Sequence, residues 1–410
     1  MSATRGAAYV VGTFDTKGDE LRYVARLIRE AGVPVMLVDV GTRSHARDVD
    51  LTAETVAAHH PAGADAVFAA TDRGVAVTAM TAALTRCIAA RTDIGGMIGL
   101  GGSGGTAIIA PAMRTLAIGV PKVMVSTLAS GNVAPYVDIH DITMVYPVTD
   151  VAGLNRVSRV VLGNAAHALA GMMLRPIPDV AGEKPSLGIT MFGVTTPCVQ
   201  QITAALGDRF DCQVFPAHGT GGRAMEALVA AGMLQGVVDM TTTEVADLLV
   251  GGVCSAGPER FDAIVRTGVP WVGSLGALDM VNFWAPETIS ERYRGRLFHV
   301  HNANVTLMRT TADELRQIGA WIVEKLNRSA GPVRLLIPEG GVSMLDAPAQ
   351  PFHDPAANTA LFDTVERAFE TSASHRIVRL PHHINDAAFA EAVVVHVSEV
   401  MNQKIGVAQR

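Results

Sequence analysis

Cysteine and aromatic residues are scarce in this chain of 410 residues. The four cysteines lie far apart and form no CxxC pair, so the usual zinc and dithiol redox motifs are absent. Reduced, unpaired thiols are typical of the cytoplasm, where we expect the protein to be found. Aromatic residues make up 5% of the chain, whereas glycine occurs 40 times. Such a composition favours tight turns between strands and helices over a β-sandwich.

An excess of positive charge and long apolar runs are also missing. The chain has 33 lysine and arginine residues against 39 aspartate and glutamate residues, a formal net charge of −6. We therefore expect no nucleic-acid partner, because binding to a phosphate backbone needs a dense cationic surface. The most apolar stretch, residues 157–174, is interrupted by Ser158, Arg159, Asn164 and His167. This stretch predicts a buried helix, and we expect no membrane partner.

The length of the chain favours two domains over one. The clearest seam is RPIPDVAGEKPS, residues 175–186, where three prolines and several charges replace the apolar periodicity. We place an N-terminal α/β domain at residues 1–178, a linker at 179–185 and a C-terminal α/β domain at 186–410.

Both predicted domains begin with the same pattern. AYVV runs into GTFDT in the first and LGITMF runs into GVTTP in the second, so each predicts a strand that feeds a helix. Asp15 or Thr16 is a suitable cap for a first helix that ends at Arg29. Thr196 is the matching cap in the second half, with Pro197 at the first helical position. The similarity favours a duplicated βαβ architecture.

Further apolar runs alternate with helical segments and predict parallel sheets covered by helices. In such sheets ligands bind beyond the carboxyl ends of the strands, so the loops there are the candidate sites. The runs predicted as strands are residues 35–40, 66–70, 96–100, 123–126, 213–216, 236–239, 271–273, 297–300 and 334–337.

The strongest local signal is a glycine-rich loop after the predicted strand at 96–100. Glycines let backbone amides approach a phosphate closely, and a following helix directs its unpaired N–H groups at the anion. The loop lacks the lysine of a Walker motif and a complete GxGxxG fingerprint, and a plain tight turn is the alternative. We predict that it binds a phosphate-bearing ligand through Gly101, Gly102, Ser103, Gly104, Gly105 and Thr106.

Two further loops are expected beside that ligand. Lys17 is suited to neutralise phosphate, and Asp15 to hold a ribose hydroxyl or a divalent metal. A helix cap and a solvated charge are the alternatives for these two residues. Lys122 and Arg223 are other candidate cations. The predicted contacts from the two loops are Thr13, Asp15, Thr16, Lys17, Thr127, Ser130, Gly131 and Asn132.

A second ligand is predicted at two glycine-rich loops of the C-terminal half. Arg223 is suited to grip a carboxylate or phosphate. A surface ion pair with Glu226, one helical turn away, is the alternative for this arginine. The second loop, residues 338–343, has a plain turn as its alternative. The residues predicted to contact the second ligand are His218, Gly219, Thr220, Gly221, Gly222, Arg223, Gly340, Gly341 and Ser343.

The sequence FHVHN offers acid-base or metal-binding groups. His299 and His301 are two residues apart and would share one face of a strand. They could bind a divalent metal with a remote carboxylate such as Asp279, Glu244 or Glu339. Alternatively, His299 moves a proton while Asn302 orients the substrate, with Glu339 as a further catalytic group. Ordinary core or surface histidines are the competing interpretation.

The ordered set GTFDTK, GLGGSGGT, STLASGN, HGTGGRAME, HVHNANVTLMRTT, PEGGVS and HHINDAAFA resembles the UPF0261, or Tm-1-like ATP-binding, family over nearly the whole chain. The resemblance implies two Rossmann-like α/β domains, ATP binding mainly by the N-terminal domain, and a homodimer. It assigns the ligand loops to residues 13–17, 101–106 and 127–132.

Three functions are compatible with these patterns. The first is an ATP-binding protein, such as an ATP-dependent enzyme of small-molecule metabolism that holds a second ligand between its domains. The second is a metal-assisted hydrolase or lyase that acts on a phosphorylated or carboxylated metabolite. The third is a non-enzymatic ligand sensor that signals through a dimer interface.

Overall fold

The computed structural model describes residues 6–175, 177–178 and 182–408. The chain divides into two compact units, Met1–Asp179 and Val180–Arg410. Each unit is built on a parallel β-sheet with helices packed against it. The predicted fold class, two α/β domains with mainly parallel sheets covered by helices, is confirmed. Residues 179–181 of the predicted linker lie outside the described residues.

The N-terminal unit has a five-stranded parallel sheet in the order β2-β1-β3-β4-β5. Its strands are β1 Ala7–Gly12, β2 Val35–Asp39, β3 Ile94–Gly101, β4 Lys122–Ser126 and β5 Thr143–Val145. Its helices are α1 Phe14–Glu30, α2 Ala53–Ala57, α3 Asp65–Phe68, α4 Arg73–Ala89, α5 Ser103–Met113, α6 Ala134–Val137 and α7 Arg156–Leu174, with a 3-10 helix at Thr127–Ser130.

Both faces of this sheet are buried, which explains why its strands are apolar at nearly every position. Along β1, Tyr9 and Val11 pack into the core beneath α4 and α5. The alternating residues Ala8 and Val10 pack into a second core beneath α1 and α7. The helices on the two faces therefore leave the carboxyl edge of the sheet to the loops.

The C-terminal unit has a six-stranded parallel sheet in the order β14-β13-β9-β8-β6-β7 and a three-stranded antiparallel sheet in the order β10-β12-β11. Its strands are β6 Ser186–Met191, β7 Asp211–Pro216, β8 Gly236–Asp239, β9 Trp271–Ser274, β10 Met280–Phe283, β11 Phe298–Asn302, β12 Val305–Arg309, β13 Val333–Pro338 and β14 His375–Leu380. Its helices are α8 Thr196–Leu206, α9 Thr220–Ala230, α10 Thr243–Val250, α11 Asp262–Thr267, α12 Ala312–Asn327, α13 Pro355–Ala368 and α14 Ala387–Ala408. Short 3-10 helices lie at Gly193–Thr195, Pro286–Thr288, Glu291–Tyr293 and Met344–Asp346.

The two parallel sheets share a strand order. The N-terminal order is 2-1-3-4-5. The C-terminal sheet, read from β7 to β14, has the order 2-1-3-4-5-6 when its strands are numbered from β6 and the antiparallel strands β10, β11 and β12 are left out as an insertion. Doubly wound sheets of this order bind ligands at the switch point between their first and third strands. The common order supports the duplication that the two similar chain segments indicated.

Several local predictions are wrong. Residues 66–70 were predicted as a strand, but Asp65–Phe68 is the short helix α3, with Val67 buried. A five-residue apolar run has no periodicity that separates a strand from a buried helical turn. The run at 297–300 is a strand, β11, but it belongs to the antiparallel sheet.

The predicted helix caps also lie one or more positions too late. Helix α1 begins at Phe14 with Thr13 at the N-cap, and α8 begins at Thr196 with Thr195 at the N-cap. In α1 the amide of Phe14 donates to Asp39 Oδ1 at 3.1 Å. The cap is therefore supplied by the end of β2, which lies far away in sequence.

Helix α7 is the one helix, among the described residues, that is long and apolar enough to cross a membrane, and 44% of its apolar window is buried inside the protein. Leu162, Ala166 and Leu169 belong to the core under the sheet. The helix is thus part of the N-terminal core, as the polar interruptions in residues 157–174 predicted.

Candidate functional site

A cavity of about 520 Å³ lies at the carboxyl edge of the N-terminal sheet. Its walls come from the segments that follow β1, β2 and β3, from helices α3 and α4, and from the segment that precedes α7. The first and third strands are neighbours in this sheet, so the cavity occupies the switch point of the fold. The topology alone predicts a ligand here.

One wall is the start of helix α5, where Gly102, Ser103, Gly104 and Gly105 line the cavity. The amides of residues 103–105 have no hydrogen-bond acceptor among the described residues, whereas the amide of Thr106 donates to the carbonyl of Gly102 at 2.9 Å. The eleven-residue helix adds the positive end of its dipole to these free donors. The predicted glycine loop therefore presents unpaired N–H groups to the cavity.

Three cations line the same cavity. Nη2 of Arg73 lies 3.8 Å from the position that a Cβ atom on Gly104 would occupy, so its guanidinium faces the glycine loop. Neither Arg73 nor Arg43 pairs with an acidic residue among those that the structure describes. Nζ of Lys17 donates to the carbonyl of Val151 at 2.5 Å. Unpaired arginines beside unpaired amides are the surroundings that an anion needs.

Lys122 does not take part, although the sequence made it a candidate for neutralising phosphate. Its ammonium is buried and donates to the carbonyls of Ala117 and Val120, each at 2.8 Å. It also forms an ion pair with Asp141 at 2.7 Å, and this hydrogen bond lowers the pKa of Asp141 against the effect of burial. Lys122 is a structural residue at the start of β4, where its ammonium binds the loop that precedes the strand.

Carboxylates and hydroxyls lie on the opposite side of the cavity from α3 and α4. Asp15 and Asp150 both line it, and the hydroxyls of Thr13 and Thr16 share a hydrogen bond of 2.7 Å. Behind them Asp39 is fully buried, which raises its pKa, while its Oδ1 accepts from the amides of Phe14 and Gly41. Asp39 fixes the two loops, and Asp15 and Asp150 remain open to a ligand or its metal.

The remaining wall is apolar. It is formed by side chains of α3, α4 and α5 and by the segment that joins α3 to α4: Phe68, Ala70, Ala76, Val77 and Ile108. The cavity thus combines an anion-binding end with an apolar surface, which is the usual composition of a site for an organic phosphate.

Other predicted contacts flank the cavity without lining it. The hydroxyl of Thr106 is buried, donates to the carbonyl of Gly102 at 2.8 Å and lies 2.6 Å from the hydroxyl of Ser126. Oγ1 of Thr127 lies 3.6 Å from the position of a Cβ atom on Gly102, so the 3-10 helix at Thr127–Ser130 supports the glycine loop from behind. Oδ1 of Asn132 accepts from the amide of Ala134 at 3.1 Å.

Gly101 ends β3, and its role is steric. A Cβ atom there would lie 2.8 Å from the Cα atom of Gly105, so a larger residue would push the loop away from the strand. Arg43, Arg73 and Asp150 are the charged lining residues that the sequence analysis missed. Arg43 follows the carboxyl end of β2, so it could have been predicted from the tendency of ligands to bind beyond the carboxyl ends of parallel strands.

The C-terminal glycine loop at 218–223 is arranged differently. The amides of Gly219 and Gly222 both donate to Oε1 of Glu244, at 2.8 and 3.1 Å. Oε2 of Glu244 accepts from Nε of Arg260 at 3.0 Å. The anion at the start of α9 is therefore a carboxylate of the protein itself, held on two of the donors that were predicted to bind a second ligand.

Arg260 sits at the centre of a buried network of charges. It forms ion pairs with Glu226 at 3.1 Å, Asp239 at 2.8 Å and Glu244 at 3.0 Å. Burial raises the pKa of Glu226 and of Glu244, and the guanidinium opposes this effect. Glu226 is thus part of the core, and the surface position that was considered for it is wrong.

The loop after β13 carries the other predicted contacts. The hydroxyl of Ser343 is buried and donates to Oδ2 of Asp279 at 2.7 Å. Gly341 has a φ of 130° and packs against the ring of His383, so a side chain there would be strained and obstructed. Glu339 accepts from Nε of Arg379 at 2.8 Å.

Comparison with known proteins identifies the family to which this chain belongs. Residues 6–177 match the N-terminal domain and residues 184–401 the C-terminal domain of the uncharacterised protein family UPF0261. The chain belongs to the UPF0261 family. The resemblance inferred from the ordered motifs is confirmed.

Relatives in the UPF0261 family cover nearly the whole chain. A UPF0261 protein of Mesorhizobium japonicum is 59% identical over 94% of this chain and 97% of its own length. A UPF0261 protein of Clostridium tetani is 43% identical over 96% of this chain and 98% of its own length. The tomato ToMV resistance protein Tm-1 is 42% identical over 94% of this chain, which corresponds to 54% of the tomato protein.

His299 and His301 of this UPF0261 chain belong to the antiparallel sheet of the C-terminal unit. His299 and His301 are on β11, where a bulge between Val300 and Asn302 interrupts the regular alternation. Oδ1 of Asn302 accepts from the amide of Asn304 at 2.9 Å. Within the described part of the chain, no group of three or more His, Cys, Asp and Glu side chains is placed to hold a metal ion.

The acidic partners considered for those histidines are engaged elsewhere. Glu244 pairs with Arg260, Asp279 accepts from Ser343 and Glu339 accepts from Arg379. Glu339 follows β13 in the parallel sheet, whereas His299 belongs to the antiparallel sheet.

Proposed function

We propose that the N-terminal domain of this UPF0261 chain binds ATP in the cavity at the carboxyl edge of its sheet. The observation that carries the proposal is the wall at the start of α5. Residues 103–105 line the cavity there with amides that have no acceptor in the described part of the chain, and the guanidinium of Arg73, which pairs with no described acidic residue, lies beside Gly104. Amides at the start of a helix that have no protein partner are available to an anion, which the positive end of the helix dipole also favours.

The charges of the lining residues favour a polyphosphate with a divalent cation. Lys17, Arg43 and Arg73 outnumber Asp15 and Asp150 by one charge. A triphosphate would exceed that single positive charge, and a bound Mg²⁺ would reduce the excess of negative charge. Asp15 and Asp150 are the oxygen donors that such a hard cation prefers. The phosphates would thus lie on the α5 wall, with the metal between them and the two aspartates.

The apolar wall supports a nucleotide over inorganic phosphate. Phe68, Val77 and Ile108 present hydrocarbon and aromatic surface within the same cavity as the glycine loop. A base that packs there would be removed from water, which adds affinity that a bare phosphate lacks. The volume of about 520 Å³ falls within the range of small-molecule sites.

Calorimetric titration of the whole chain with ATP and Mg²⁺ tests the proposal, with Gly104→Asp as the decisive variant. A Cβ atom at this position meets only Nη2 of Arg73, at 3.8 Å, so the backbone tolerates a side chain here. The new carboxylate would neutralise Arg73 and repel the phosphates. We expect affinity to fall at least about tenfold, or ~1.4 kcal/mol.

Gly104→Ala is the matched control, because it adds the same Cβ atom without the charge. We expect its affinity to stay within about twofold of the wild type. The far-ultraviolet circular dichroism of all three proteins should coincide. The placement is wrong if the wild type binds no ATP, or if the aspartate variant binds ATP as tightly as the alanine variant.

A further inference from the structure

A second cavity, separate from the proposed ATP site, lies within the C-terminal unit. It has a volume of about 150 Å³ and opens at the carboxyl ends of β13 and β14, beside the start of α13. Glu339 and the glycines after β13 form one side, and Arg379 of β14 forms another. His353 and Phe362 close the cavity from the α13 side.

Three side chains of this cavity, all at least partly exposed to solvent, each have one polar atom without a partner among the described residues. Glu339 accepts through Oε1 from Nε of Arg379, and its Oε2 has no donor among the described residues. Nη1 of Arg379 donates to Glu366 at 2.9 Å, while Nη2 has no acceptor in the described part of the chain. The site therefore offers an acceptor and a donor that sit side by side.

His353 adds a second acceptor with a fixed orientation. Its Nδ1 lies 2.8 Å from the backbone carbonyl of Asp346. Because a carbonyl oxygen can only accept, Nδ1 must carry a hydrogen, and the neutral ring keeps its lone pair on Nε2. No residue that the structure describes donates to that nitrogen.

The wall behind the cavity is rigid. Asn358 lines the cavity and is 4% exposed. Its Nδ2 donates to Oδ2 of Asp346 at 2.6 Å and its Oδ1 accepts from Nη2 of Arg309 at 3.0 Å. Every polar atom of the amide is thus directed by buried charged groups. Such preorganisation is expected where a ligand is bound, since it lowers the cost of ordering the site.

The charges around the cavity select the type of ligand. Arg379 pairs with Glu339, Asp363 and Glu366, which leaves an excess of negative charge. A simple anion would accept from Arg379 but would face this excess and two acceptors. A simple cation would satisfy the acceptors and leave Nη2 of Arg379 without a partner. A ligand that carries both charges satisfies all three groups.

We infer that this cavity binds a small zwitterion that carries an ammonium and a carboxylate group, in the manner of a free α-amino acid. Its carboxylate accepts from Nη2 of Arg379, and its ammonium donates to Oε2 of Glu339 and to Nε2 of His353. A short side chain packs on the ring of Phe362. The inference does not depend on the proposed ATP site.

Saturation-transfer NMR and calorimetry on the whole chain test this inference with four probes: glycine, L-alanine, acetate and methylammonium. We expect glycine or L-alanine to bind, and acetate and methylammonium to bind at least tenfold more weakly. The inference is overturned if neither amino acid binds, or if either singly charged probe binds as tightly as the zwitterions.

Two variants assign the binding to this cavity. Arg379→Gln should weaken zwitterion binding at least tenfold, and His353→Gln should do so by at least threefold. Arg376→Gln is the control, because Arg376 lies on the same strand and pairs with Glu399 away from the cavity. The assignment is overturned if Arg379→Gln and Arg376→Gln bind the zwitterion with equal affinity. This comparison holds even if one of the two variants is less stable than the wild type. ATP binding should be the same in all these proteins, which separates this test from that of the N-terminal site.

Discussion

Replacing Asp279 by Asn should make the C-terminal unit more stable above neutral pH. Asp279 is fully buried, accepts from Ser343 through Oδ2, and has no hydrogen-bond partner for Oδ1 among the described residues. Oδ1 of Asp346 likewise has no hydrogen-bond partner among the described residues, although Nη2 of Arg309 lies 3.6 Å from it. An Asn amide could accept from Ser343 and donate to Asp346, so the substitution satisfies atoms that the aspartate leaves unpaired.

The size of the effect follows from the pKa of Asp279. Burial, with a smaller contribution from the Asp346 carboxylate, raises this pKa from 3.8 to about 7, against the opposing effect of Arg309. Between these two values the folded protein holds a proton that the unfolded chain has released. The free energy of unfolding should therefore fall by about 1.4 kcal/mol for each pH unit in this window, or about 4 kcal/mol in all. Because an asparagine does not titrate, the free energy of unfolding of the variant does not fall in this way.

Urea unfolding followed by tryptophan fluorescence measures the C-terminal unit selectively. All three tryptophans, Trp271, Trp284 and Trp321, lie in that unit, and Trp271 is fully buried. At pH 5, 6, 7 and 8 the difference between wild type and Asp279→Asn should grow in favour of the variant. The reasoning is refuted if the two proteins show the same pH slope, or if the variant is the less stable one at pH 8.

Asp247→Asn is the matched control. Burial also raises the pKa of Asp247 to about 7, but its oxygens accept from the amides of Asn282 and Cys254 and from Nδ2 of Asn282, at 2.7 to 3.0 Å. An Asn there would turn an NH₂ group toward donors. Because both raised pKa values are removed by the substitutions, we expect Asp247→Asn to show the same pH slope as Asp279→Asn and to be about 1 to 3 kcal/mol less stable than that variant at each pH.

Three further substitutions test the structural roles assigned above. Lys122→Met removes the buried ion pair with Asp141 and should lower the stability of the N-terminal unit by about 1 to 3 kcal/mol in thermal unfolding, with calorimetric ATP affinity unchanged. Glu244→Ala leaves Arg260 short of one partner and should cost the C-terminal unit about 3 to 5 kcal/mol in urea unfolding, with partial recovery in concentrated formate. Gly222→Ala should lower the stability of the C-terminal unit by about 1 to 3 kcal/mol in urea unfolding, since its Cβ atom would overlap a Glu244 oxygen and displace that carboxylate from Arg260. Unchanged stability in any of the three would contradict the role given to that residue.

The fold class and most parallel strands were predictable because each strand is a short apolar run bounded by turn residues. The run at 236–239 matches β8, Gly236–Asp239, and the run at 123–126 lies within β4. The glycine loop at 101–106 was also found, since strand, glycines and helix are adjacent in sequence. Its residues 102–105 do line the N-terminal cavity.

The rest of that cavity depends on contacts between distant segments. Arg73 reaches the glycine loop from the first turn of α4, and this approach follows from the packing of α4 on α5. The short helix α3 was mistaken for a strand, so the segment that leads to Arg73 was placed in the wrong element. A single sequence does not show which surface arginine turns inward.

The two glycine-rich loops show the limit of local patterns most clearly. Residues 101–106 and 218–223 have similar composition, and each segment contains the start of a helix of eleven residues. In the second loop the amides already bind Glu244, which is more than twenty residues away in the chain. Whether a helix terminus is open to a ligand is decided by tertiary contacts, which local spacing does not reveal.

The same contrast extends to the switch points of the two sheets. Both sheets begin with the order 2-1-3, and in the N-terminal unit the space beyond the first and third strands is the proposed ATP site. In the C-terminal unit, hydroxyls join the corresponding strands β6 and β8. Thr195 and Thr241 share a hydrogen bond of 2.7 Å, and the amide of Thr241 donates to Thr190 at 3.0 Å.

A duplicated fold therefore supplies a crevice at the same place twice, and side chains decide whether it stays open. Three threonines and Glu244 use the donors and acceptors of the second crevice for cohesion within the domain. Because these groups are satisfied internally, a ligand there would have to break existing hydrogen bonds before forming its own. The free amides beside Arg73 impose no such cost, and the C-terminal unit instead keeps its unused polar atoms at Arg379 and His353, beyond the adjacent strands β13 and β14.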